Sequence, residues 1–301
     1  MIDLLVGLGS IGLDTTRTPF KTVTEVLGGS GSYFSLSSSL FTDTGLIGIV
    51  GDDFPKQYMD IFNSKINVEG LEVENGKTFR YDSSFGYDLG VRTTNKTELN
   101  VFGGWHPKVP EYYKDADFLY LGNVGPKQQL DVLDQMNKPP KLAMADTIEL
   151  WINTQRESLI ELISRLNGMV LNDQEIRQLC ETSNIHKGAQ KIIDWGAEFV
   201  IVKKGEHGAT LYTEDCIFPS CSYPLLEIMD PTGAGDSFAG GFMGHIARKG
   251  RCDEKTFREA IIYGNIMGSF CVEKFSVDRL LDITIEDIED RYRDYKNIVS
   301  F

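Results

Sequence analysis

The sequence predicts an α/β fold in which a mainly parallel central sheet lies between layers of helices. The first observation is that short apolar runs alternate with longer segments of helical periodicity along the 301 residues. The second is that these runs are apolar throughout, which is typical of strands buried on both faces of a parallel sheet. No repeat or low-complexity linker interrupts the alternation, so one domain covering residues 1–301 is the simplest organisation.

The individual elements follow from these runs. Six apolar runs are predicted to form buried strands: Leu4–Leu8, Thr44–Val50, Phe118–Leu121, Lys141–Ala145, Met169–Leu171 and Phe199–Val202. Six segments have a helical pattern or composition: Ser32–Phe41, Lys127–Met136, Arg156–Leu166, Ile185–Trp195, Ser237–Ala247 and Lys255–Phe270. Strands that alternate with helices in this way favour crossover connections and hence parallel pairing.

One region departs from the alternation and predicts a second, smaller sheet. Apolar and polar residues alternate with a period of two from Phe79 to Arg92, which indicates a half-buried strand. Asn75-Gly76 suits a tight hairpin turn before it, and Glu98–Phe102 is a further extended stretch. We expect a small antiparallel sheet built from about residues 13–26 and 70–103. It would serve as a lid or a dimer surface, and an inert edge extension is the alternative.

Composition narrows the classes of function. The net charge of −14 argues against nucleic acid or an anionic membrane as the main partner. The five cysteines share no metal-ligand spacing, which favours free thiols in a reducing cytosol, and the four histidines lack zinc-site spacing. The N-terminal segment has the pattern of a buried strand rather than a signal peptide, and no apolar run approaches the length of a membrane span. We therefore expect a cytoplasmic protein.

Residues 230–236, Asp-Pro-Thr-Gly-Ala-Gly-Asp, carry the strongest functional signal. They connect an apolar run to a helix-like segment, so the backbone N–H groups of Gly233, Ala234 and Gly235 are predicted to point outward at a helix start. Such a terminus binds a phosphate or a developing anion. Asp236 then lies where a general base would take a proton from an attacking hydroxyl. A capped helix after a tight turn is the alternative interpretation.

Two other glycine motifs resemble phosphate-binding sequences but lack the required context. Gly7-Leu8-Gly9-Ser10-Ile11-Gly12 matches the dinucleotide fingerprint, yet no helical pattern follows it. Gly76-Lys77-Thr78 matches the end of a P-loop, but Leu71 stands where the first glycine would be. Neither a dinucleotide site nor a P-loop is expected.

The 230–236 motif resembles the signature of the ribokinase family, the PfkB family of carbohydrate and nucleoside kinases. The resemblance runs in the family's motif order from about residue 3 to residue 280. It implies a ribokinase-like three-layer sandwich and an ATP- and Mg²⁺-dependent transfer of the γ-phosphate to a hydroxyl of a small sugar or nucleoside. A non-catalytic sensor on the same fold is a rival that the presence of Asp236 disfavours. A hydrolase is a further rival that lacks a recognisable Ser/Cys–His pair.

The resemblance also implies roles for residues outside the motif. Asn172 and Glu175 form an Asn-x-x-Glu pair that would help arrange Mg²⁺, its waters and the phosphates. Lys203 would neutralise phosphate charge, and Gly205 and Gly208 would let the backbone face ATP. Asn265 lies in the segment expected beside the adenine.

Further implied roles concern the acceptor and a possible second cation site. Asp14 and the pair Gly28-Gly29 would bind substrate hydroxyls. Asp230 and Thr232 resemble positions that shape the loop and that in some members help hold a monovalent cation such as K⁺.

The sequence departs from the family pattern at two acceptor positions. Gly12 and Tyr33 stand where many ribokinase-like members carry asparagine, so groups that grip a sugar are missing. The substrate-side residue Tyr33 and four other aromatic residues could instead favour a flatter substrate such as a nucleoside: Phe34, Phe79, Tyr81 and Phe85. The small sheet makes a homodimer through the lid plausible.

Overall fold

The computed structural model describes residues 4–300. In this range the strands are β1 (Leu5–Leu8), β2 (Gly12–Arg17), β3 (Thr22–Gly28), β4 (Thr44–Gly51), β5 (Asn67–Glu74), β6 (Phe79–Phe85), β7 (Arg92–Glu98), β8 (Phe118–Leu121), β9 (Leu142–Asp146), β10 (Gly168–Asn172), β11 (Phe199–Lys203), β12 (Ala209–Thr213) and β13 (Ile217–Ser220). The helices are α1 (Ser30–Ser38), α2 (Lys56–Lys65), α3 (Pro126–Gln135), α4 (Glu149–Thr154), α5 (Arg156–Ile163), α6 (Asp173–Cys180), α7 (Ile185–Asp194), α8 (Ala234–Lys249), α9 (Glu254–Cys271), α10 (Asp278–Asp282) and α11 (Ile285–Val299).

A nine-stranded sheet forms the centre of the fold, in the order β13-β12-β11-β10-β9-β8-β1-β4-β5. The seven strands from β11 to β5 in this order are parallel, whereas β12 and β13 turn back antiparallel at one edge. The carboxyl ends of the parallel strands therefore meet along one side of the sheet. In open α/β sheets this side carries the ligand site.

Helices cover both faces of the central sheet, which confirms the predicted three-layer α/β fold. Alternate residues of β8 show the two faces, because Leu119 and Leu121 pack in a core with residues of α3, α5, α6 and α7. Phe118 and Tyr120 pack in the opposite core with residues of α1, α8 and α9. The inner strands β1, β4, β8 and β9 are therefore buried on both sides, as the uniform apolar runs predicted.

Helix α8 is held close to α1 by small residues. A Cβ on Gly240 would fall 2.6 Å from the carbonyl oxygen of Phe34 and 2.6 Å from Cβ of Ser37. The Ser37 hydroxyl also donates to the carbonyl of Ser237, at 2.8 Å. The contact fixes the axis of α8 and, with it, the position of the 230–236 motif at its N-terminus.

The small sheet has the order β3-β2-β6-β7, with β2 parallel to β6 and both outer pairs antiparallel. The segment 13–26 lies in it as expected, but β5 pairs with β4 in the central sheet. Asn75-Gly76 therefore links the two sheets and is not a hairpin turn. The reason is that its neighbours bond to the loop after β4: Asp52 N–H donates to Gly76 O at 3.1 Å, and Thr78 N–H donates to Asp53 Oδ1 at 2.7 Å.

Two further predictions about the small sheet were wrong in detail. The alternating segment forms a strand only to Phe85, after which residues 86–91 turn into β7. Residues 100–102 form a 3-10 turn instead of an extended stretch. Asn100, with φ of 49°, reverses the chain there, and its side chain donates to Thr78 O at 2.9 Å. The glycine motif at 7–12 is followed by β2, so the helix that a dinucleotide site requires is absent from that position.

No helix within residues 4–300 has the length and apolar character needed to cross a membrane.

Candidate active site

Side chains from both sheets converge at the carboxyl side of the central sheet. Asp146, Asn172 and Lys203 are the last residues of β9, β10 and β11. Asp14 comes from β2 of the small sheet. The N-terminus of α8 faces them, because Asp236 in its first turn interacts electrostatically with Asp14, Asp146 and Lys203.

The 230–236 motif forms a tight turn that ends in α8. Asp230 Oδ1 accepts from Thr232 N–H at 2.9 Å, and Gly233 takes the left-handed conformation with φ of 77°. The helical bonds begin with Ser237 N–H to Gly233 O at 2.8 Å. Of the three N–H groups predicted to point outward, that of Ala234 donates to Pro231 O at 3.2 Å. Gly235 lies in the first turn, where amide groups have no acceptor one turn earlier.

Asp236 has the environment of a general base. Burial raises the pKa of its carboxyl to about 7, and the nearby Asp146 adds to the effect. Lys203 and Arg92 act in the opposite direction. A carboxyl that titrates near neutral pH can accept a proton from an alcohol and release it again.

Lys203 forms a buried ion pair with Asp146. Its ammonium lies 2.9 Å from Asp146 Oδ2, and the two side chains are 17% and 8% exposed. The same ammonium lies along the backbone of α8, since a Cβ on Gly235 would fall 2.8 Å from Nζ. Lys203 therefore places a positive charge beside the first turn of α8, and its contact with phosphate stays a prediction.

Asn172 and Glu175 form a capping box at the start of α6. Asn172 Oδ1 accepts from the N–H groups of Gln174 and Glu175, at 2.9 and 2.8 Å. Glu175 Oε2 accepts from Asn172 N–H at 2.7 Å. Burial and the nearby Asp146 raise the pKa of Glu175 to about 7. Asn172 and Glu175 therefore cap α6. The same bonds hold the Glu175 carboxylate near that of Asp146, so capping does not exclude the predicted role of the pair beside a cation.

Asp14 is the residue predicted to bind substrate hydroxyls. Its carboxyl is buried, and burial followed by the charge of Asp230 raises its pKa to about 7. Oδ1 has no hydrogen-bond partner. A Cβ on Gly28 would fall 2.0 Å from Oδ2, and one on Gly29, with φ of 91°, would fall 2.3 Å from Ser10 O. The glycine pair is therefore required for the carboxylate to occupy this position, and the unpartnered oxygen is available to a hydroxyl.

Three aromatic residues near the acceptor side differ in their surroundings. Tyr33 is buried against Gly233, where a Cβ would fall 2.3 Å from its ring. Phe34 is fully buried and stacks on Tyr120 at a centroid distance of 4.0 Å, so it belongs to the core and does not face an acceptor. Phe79 fills the space beside Gly12, where a Cβ would fall 2.7 Å from the ring.

A third group of residues lies beyond β11, where the nucleotide loop was expected. Gly205 and Gly208 both have positive φ, of 55° and 81°, and a Cβ on Gly208 would fall 2.1 Å from Ser220 O. Asn265 on α9 donates to the hydroxyl of Ser220 at 2.9 Å. The structure thus brings the loop, the end of β13 and α9 together around Ser220.

Comparison with known proteins now settles the family. The sequence pattern described as pfkB family carbohydrate kinase matches residues 11–283.

The chain belongs to the pfkB family of carbohydrate kinases.

Its relatives are kinases of nucleosides and sugars. A cytidine kinase from Thermococcus kodakarensis is 29% identical over 251 residues, which cover 82% of this chain and 90% of the relative. An aminoimidazole riboside kinase from Salmonella typhimurium is 30% identical over 253 residues, which cover 76% of both chains. As a member of the pfkB family, the chain is a phosphotransferase with an alcohol group as acceptor.

Solved structures share the fold. The Burkholderia thailandensis nucleoside kinase in complex with ADP-inosine superimposes with a TM-score of 0.80 at 18% identity, covering 97% of this chain and 95% of that chain. A putative ribokinase II from E. coli in complex with ATP and Mg²⁺ gives a TM-score of 0.79 at 19% identity, covering 98% and 100%.

Three residues of this pfkB-family site were not found from the sequence. Asp146 directly follows a predicted strand, and a carboxylate at a strand end was the available signal. Arg92 on β7 acts electrostatically on Asp14, Glu175 and Asp236. Ser220 carries no pattern that would distinguish it from a surface serine.

Proposed function

We propose that the chain transfers the γ-phosphate of ATP to a hydroxyl of a nucleoside-like substrate, with Asp236 as the general base. The observation that carries the proposal is the position of Asp236 in the first turn of α8, where its carboxyl interacts electrostatically with Asp14, Asp146 and Lys203. A sugar without a base is the alternative acceptor. A binding-only sensor would have no use for a carboxyl whose pKa burial raises to about 7.

The proposed phosphoryl transfer uses the base, the anion-stabilising groups and the acceptor-binding carboxylate in turn. The acceptor hydroxyl loses its proton to the Asp236 carboxylate while its oxygen forms a bond to the γ-phosphorus. The bond between that phosphorus and the bridging oxygen of ADP breaks, and ADP leaves with the electron pair. The amide of Gly235 and the Lys203 ammonium stabilise the charge on the transferring group. Asp14 orients the acceptor by accepting hydrogen bonds from its hydroxyls.

A divalent cation fits the donor end of the site. Glu175 carries a raised pKa beside Asp146, and this excess of buried negative charge is what a cation would relieve. Mg²⁺ is usually held by one or two carboxylates together with phosphates and waters, so Glu175 would hold it and Asn172 would present its amide to the phosphates. When bound, Mg²⁺ supplies neutralisation of the phosphate charge.

A monovalent cation such as K⁺ fits the turn below α8. Asp230 Oδ2 and Thr232 Oγ1 are both buried without a hydrogen-bond partner. Burial raises the pKa of Asp230, whereas the hydrogen bond from Thr232 N–H acts in the opposite direction. Two unpartnered oxygens of this kind are the ligands that a hard cation prefers.

The nucleoside preference is supported by the relatives and by the acceptor side. The Thermococcus kodakarensis relative is a cytidine kinase. In this chain Phe79 occupies the space beside Gly12, and Tyr81 stacks near Phe79 with an interplanar angle of 17°. Arg92 lies over the Tyr81 ring, 5.2 Å from its centroid. This aromatic surface offers a base more contact area than it offers a sugar.

Exposed apolar residues of the small sheet, the proposed lid, favour a homodimer. Phe20, Tyr87 and Val91 at its tip are 53%, 85% and 60% exposed, and the Phe20 and Tyr87 rings contact each other edge to face. A second copy of the chain would cover them. Analytical ultracentrifugation of the wild type and of Tyr87→Ser should show a dimer that the substitution weakens, and a wild-type monomer at every concentration would contradict it.

The central experiment measures ADP release from Mg-ATP across nucleoside and sugar panels. We expect turnover with nucleosides, and Asp236→Asn should lower kcat by about 10²–10⁴-fold while ATP still binds in calorimetry. Asp134→Asn, which removes the surface ion pair with Arg165, is the matched control and should behave as the wild type. Full activity in Asp236→Asn would refute the base, and turnover of sugars alone would refute the nucleoside preference.

A further inference from the structure

The carboxylate of Asp146 is itself held in place by neighbouring elements. Its Oδ1 accepts a hydrogen bond from Thr147 N–H at 2.7 Å, and its Oδ2 forms an ion pair with the Lys203 ammonium. The backbone carbonyl of Asp146 accepts from Gln129 Nε2 at 3.1 Å, and the same amide nitrogen binds the carbonyls of Leu121 and Gly122, both at 2.9 Å. The end of β9 is thus tied to the end of β8, so Asp146 has little freedom to move.

This rigid carboxylate determines where the lysine charge lies. The ammonium of Lys203 has the Asp146 oxygen on one side and the Gly235 backbone on the other. A lysine side chain has four rotatable bonds, so without a fixed partner its charge would sample many positions. Groups that stabilise a transition state are effective only when they are held in place before the reaction.

We propose that Asp146 is a positioning residue, which holds the Lys203 ammonium against Gly235 so that it faces the transferring phosphoryl group. The proposal rests on the phosphoryl transfer proposed above. It assigns a function to a carboxylate whose two oxygens bond to Thr147 N–H and the Lys203 ammonium. The pair acts as a unit, in which Asp146 sets the geometry and Lys203 supplies the charge.

The pair also sets the electrostatic field at the base. Asp146 raises the pKa of Asp236, whereas Lys203 and Arg92 lower it. The titratable or charged groups that interact with Asp236 come from seven elements: Tyr33, Asp14, Arg92, Tyr120, Asp146, Lys203 and Cys271. Asp146→Asn and Lys203→Met should therefore move the titration of Asp236 in opposite directions, which a purely structural role would not do.

The test compares pH profiles of kcat/KM for the wild type, Asp146→Asn, Asp146→Glu and Lys203→Met. We expect Asp146→Asn to lower kcat by about 10- to 100-fold and to move the acid limb down by about one pH unit. Lys203→Met should lower kcat and move the acid limb up. Asp146→Glu keeps the charge, so its acid limb should stay in place and part of kcat should return.

A second measurement does not depend on turnover. The Asp236 carboxyl can be titrated by ¹³C NMR in the protein without substrates, where Asp146→Asn should lower its pKa and Asp134→Asn should leave it unchanged. Wild-type kcat in Asp146→Asn, or losses in kcat from Asp146→Asn and Lys203→Met that simply multiply in the double variant, would overturn the proposal. A wild type that releases no ADP would refute the kinase assignment instead, and the NMR titration would still decide whether Asp146 acts on Asp236.

Discussion

The ring of Tyr33 lies so close to Gly233 that a Cβ on Gly233 would fall 2.3 Å from the ring atoms Cγ and Cδ1. Two elements distant in sequence, α1 and the turn before α8, are therefore fitted to each other within the 230–236 motif. The left-handed conformation of Gly233, with φ of 77°, adds a second reason for glycine at this position. Whether Tyr33 also contacts the acceptor stays a prediction.

Gly233→Ala should disrupt this turn. The substitution combines strain at positive φ with a collision, so we expect a loss of about 2 kcal/mol or more in the free energy of unfolding, together with loss of activity. Gly205→Ala is the matched control, because Gly205 also has positive φ, of 55°, but has no atom within 4 Å of its Cβ position. Urea denaturation should show the larger loss for Gly233→Ala. Equal losses would mean that the Tyr33 contact contributes nothing.

Gly28→Ala should impair the acceptor site selectively. A Cβ there would fall 2.0 Å from Asp14 Oδ2 and would displace the carboxylate that we propose orients the acceptor. We expect KM for the nucleoside to rise by about tenfold or more, while the Kd for ATP in calorimetry stays the same. Gly86→Ala at the lid tip, where the nearest atom is 3.7 Å away, should leave both constants unchanged. A change in ATP affinity without a change in KM for the nucleoside would contradict the assignment of Gly28 and Asp14 to the acceptor part of the site.

Asparagine caps provide a test of Asn172. Asn172 and Asn184 both cap helices, and Asn184 Oδ1 accepts from Lys187 N–H at 3.2 Å on a helix away from the site. Each change to alanine should lower the free energy of unfolding by about 1 kcal/mol. Only Asn172→Ala should also raise KM for Mg-ATP, since it releases Glu175 from the capping box. Identical kinetics in the two variants would remove Asn172 from the donor site.

The buried carboxyls predict a dependence of stability on pH. Burial raises the pKa values of Asp14 and Asp236 to about 7 from 3.8. Between pH 4 and 7 the folded state therefore binds protons that the unfolded state has released, so these groups reduce stability as pH rises. Asp236→Asn should raise Tm at pH 8 by about 2 °C or more and have little effect near pH 4. Differential scanning calorimetry that shows the same shift at both pH values would contradict this.

Potassium should stabilise the protein through Asp230 and Thr232. At a K⁺ concentration ten times its Kd, the free energy of unfolding should rise by about 1.4 kcal/mol relative to choline at the same ionic strength. Thr232→Val removes the unpartnered hydroxyl and should abolish the difference, whereas Thr232→Ser should keep it. A K⁺ response that persists in Thr232→Val would place the cation elsewhere.

The fold and the position of the 230–236 motif were largely predictable because their signals are local. Uniform apolar runs identified strands of the central sheet, and the 230–236 motif identified the N-terminus of α8 within one turn. Asp146 was missed because its significance depends on Lys203, 57 residues later, and only the pairing of β9 with β10 and β10 with β11 brings the two together.

The sequence also did not predict which of the two sheets contains β5. β5 consists mostly of exposed and part-buried residues, as do the strands of the small sheet, yet it pairs in parallel with β4 at the edge of the central sheet. A strand at a sheet edge has a half-polar pattern in either sheet, so periodicity cannot assign it. Residues after β5 bond to the loop after β4, as Thr78 does to Asp53, and these bonds fix β5 in the central sheet. The turn motif Asn75-Gly76 does not reveal them.

The separation of the two sheets also bears on how this enzyme could change over evolutionary time. The base, the lysine pair and the capping box all reside at ends of the central sheet or of the helices packed on it, whereas Phe79, Tyr81 and Arg92 reside on strands that share no ladder with that sheet. Under the proposed function, substitutions of Phe79 and Tyr81 would alter which alcohol is accepted and leave the groups of the central sheet in place, whereas a substitution of Arg92 would also change the electrostatic field at Asp236. A change of acceptor would therefore arise most readily at the two aromatic positions.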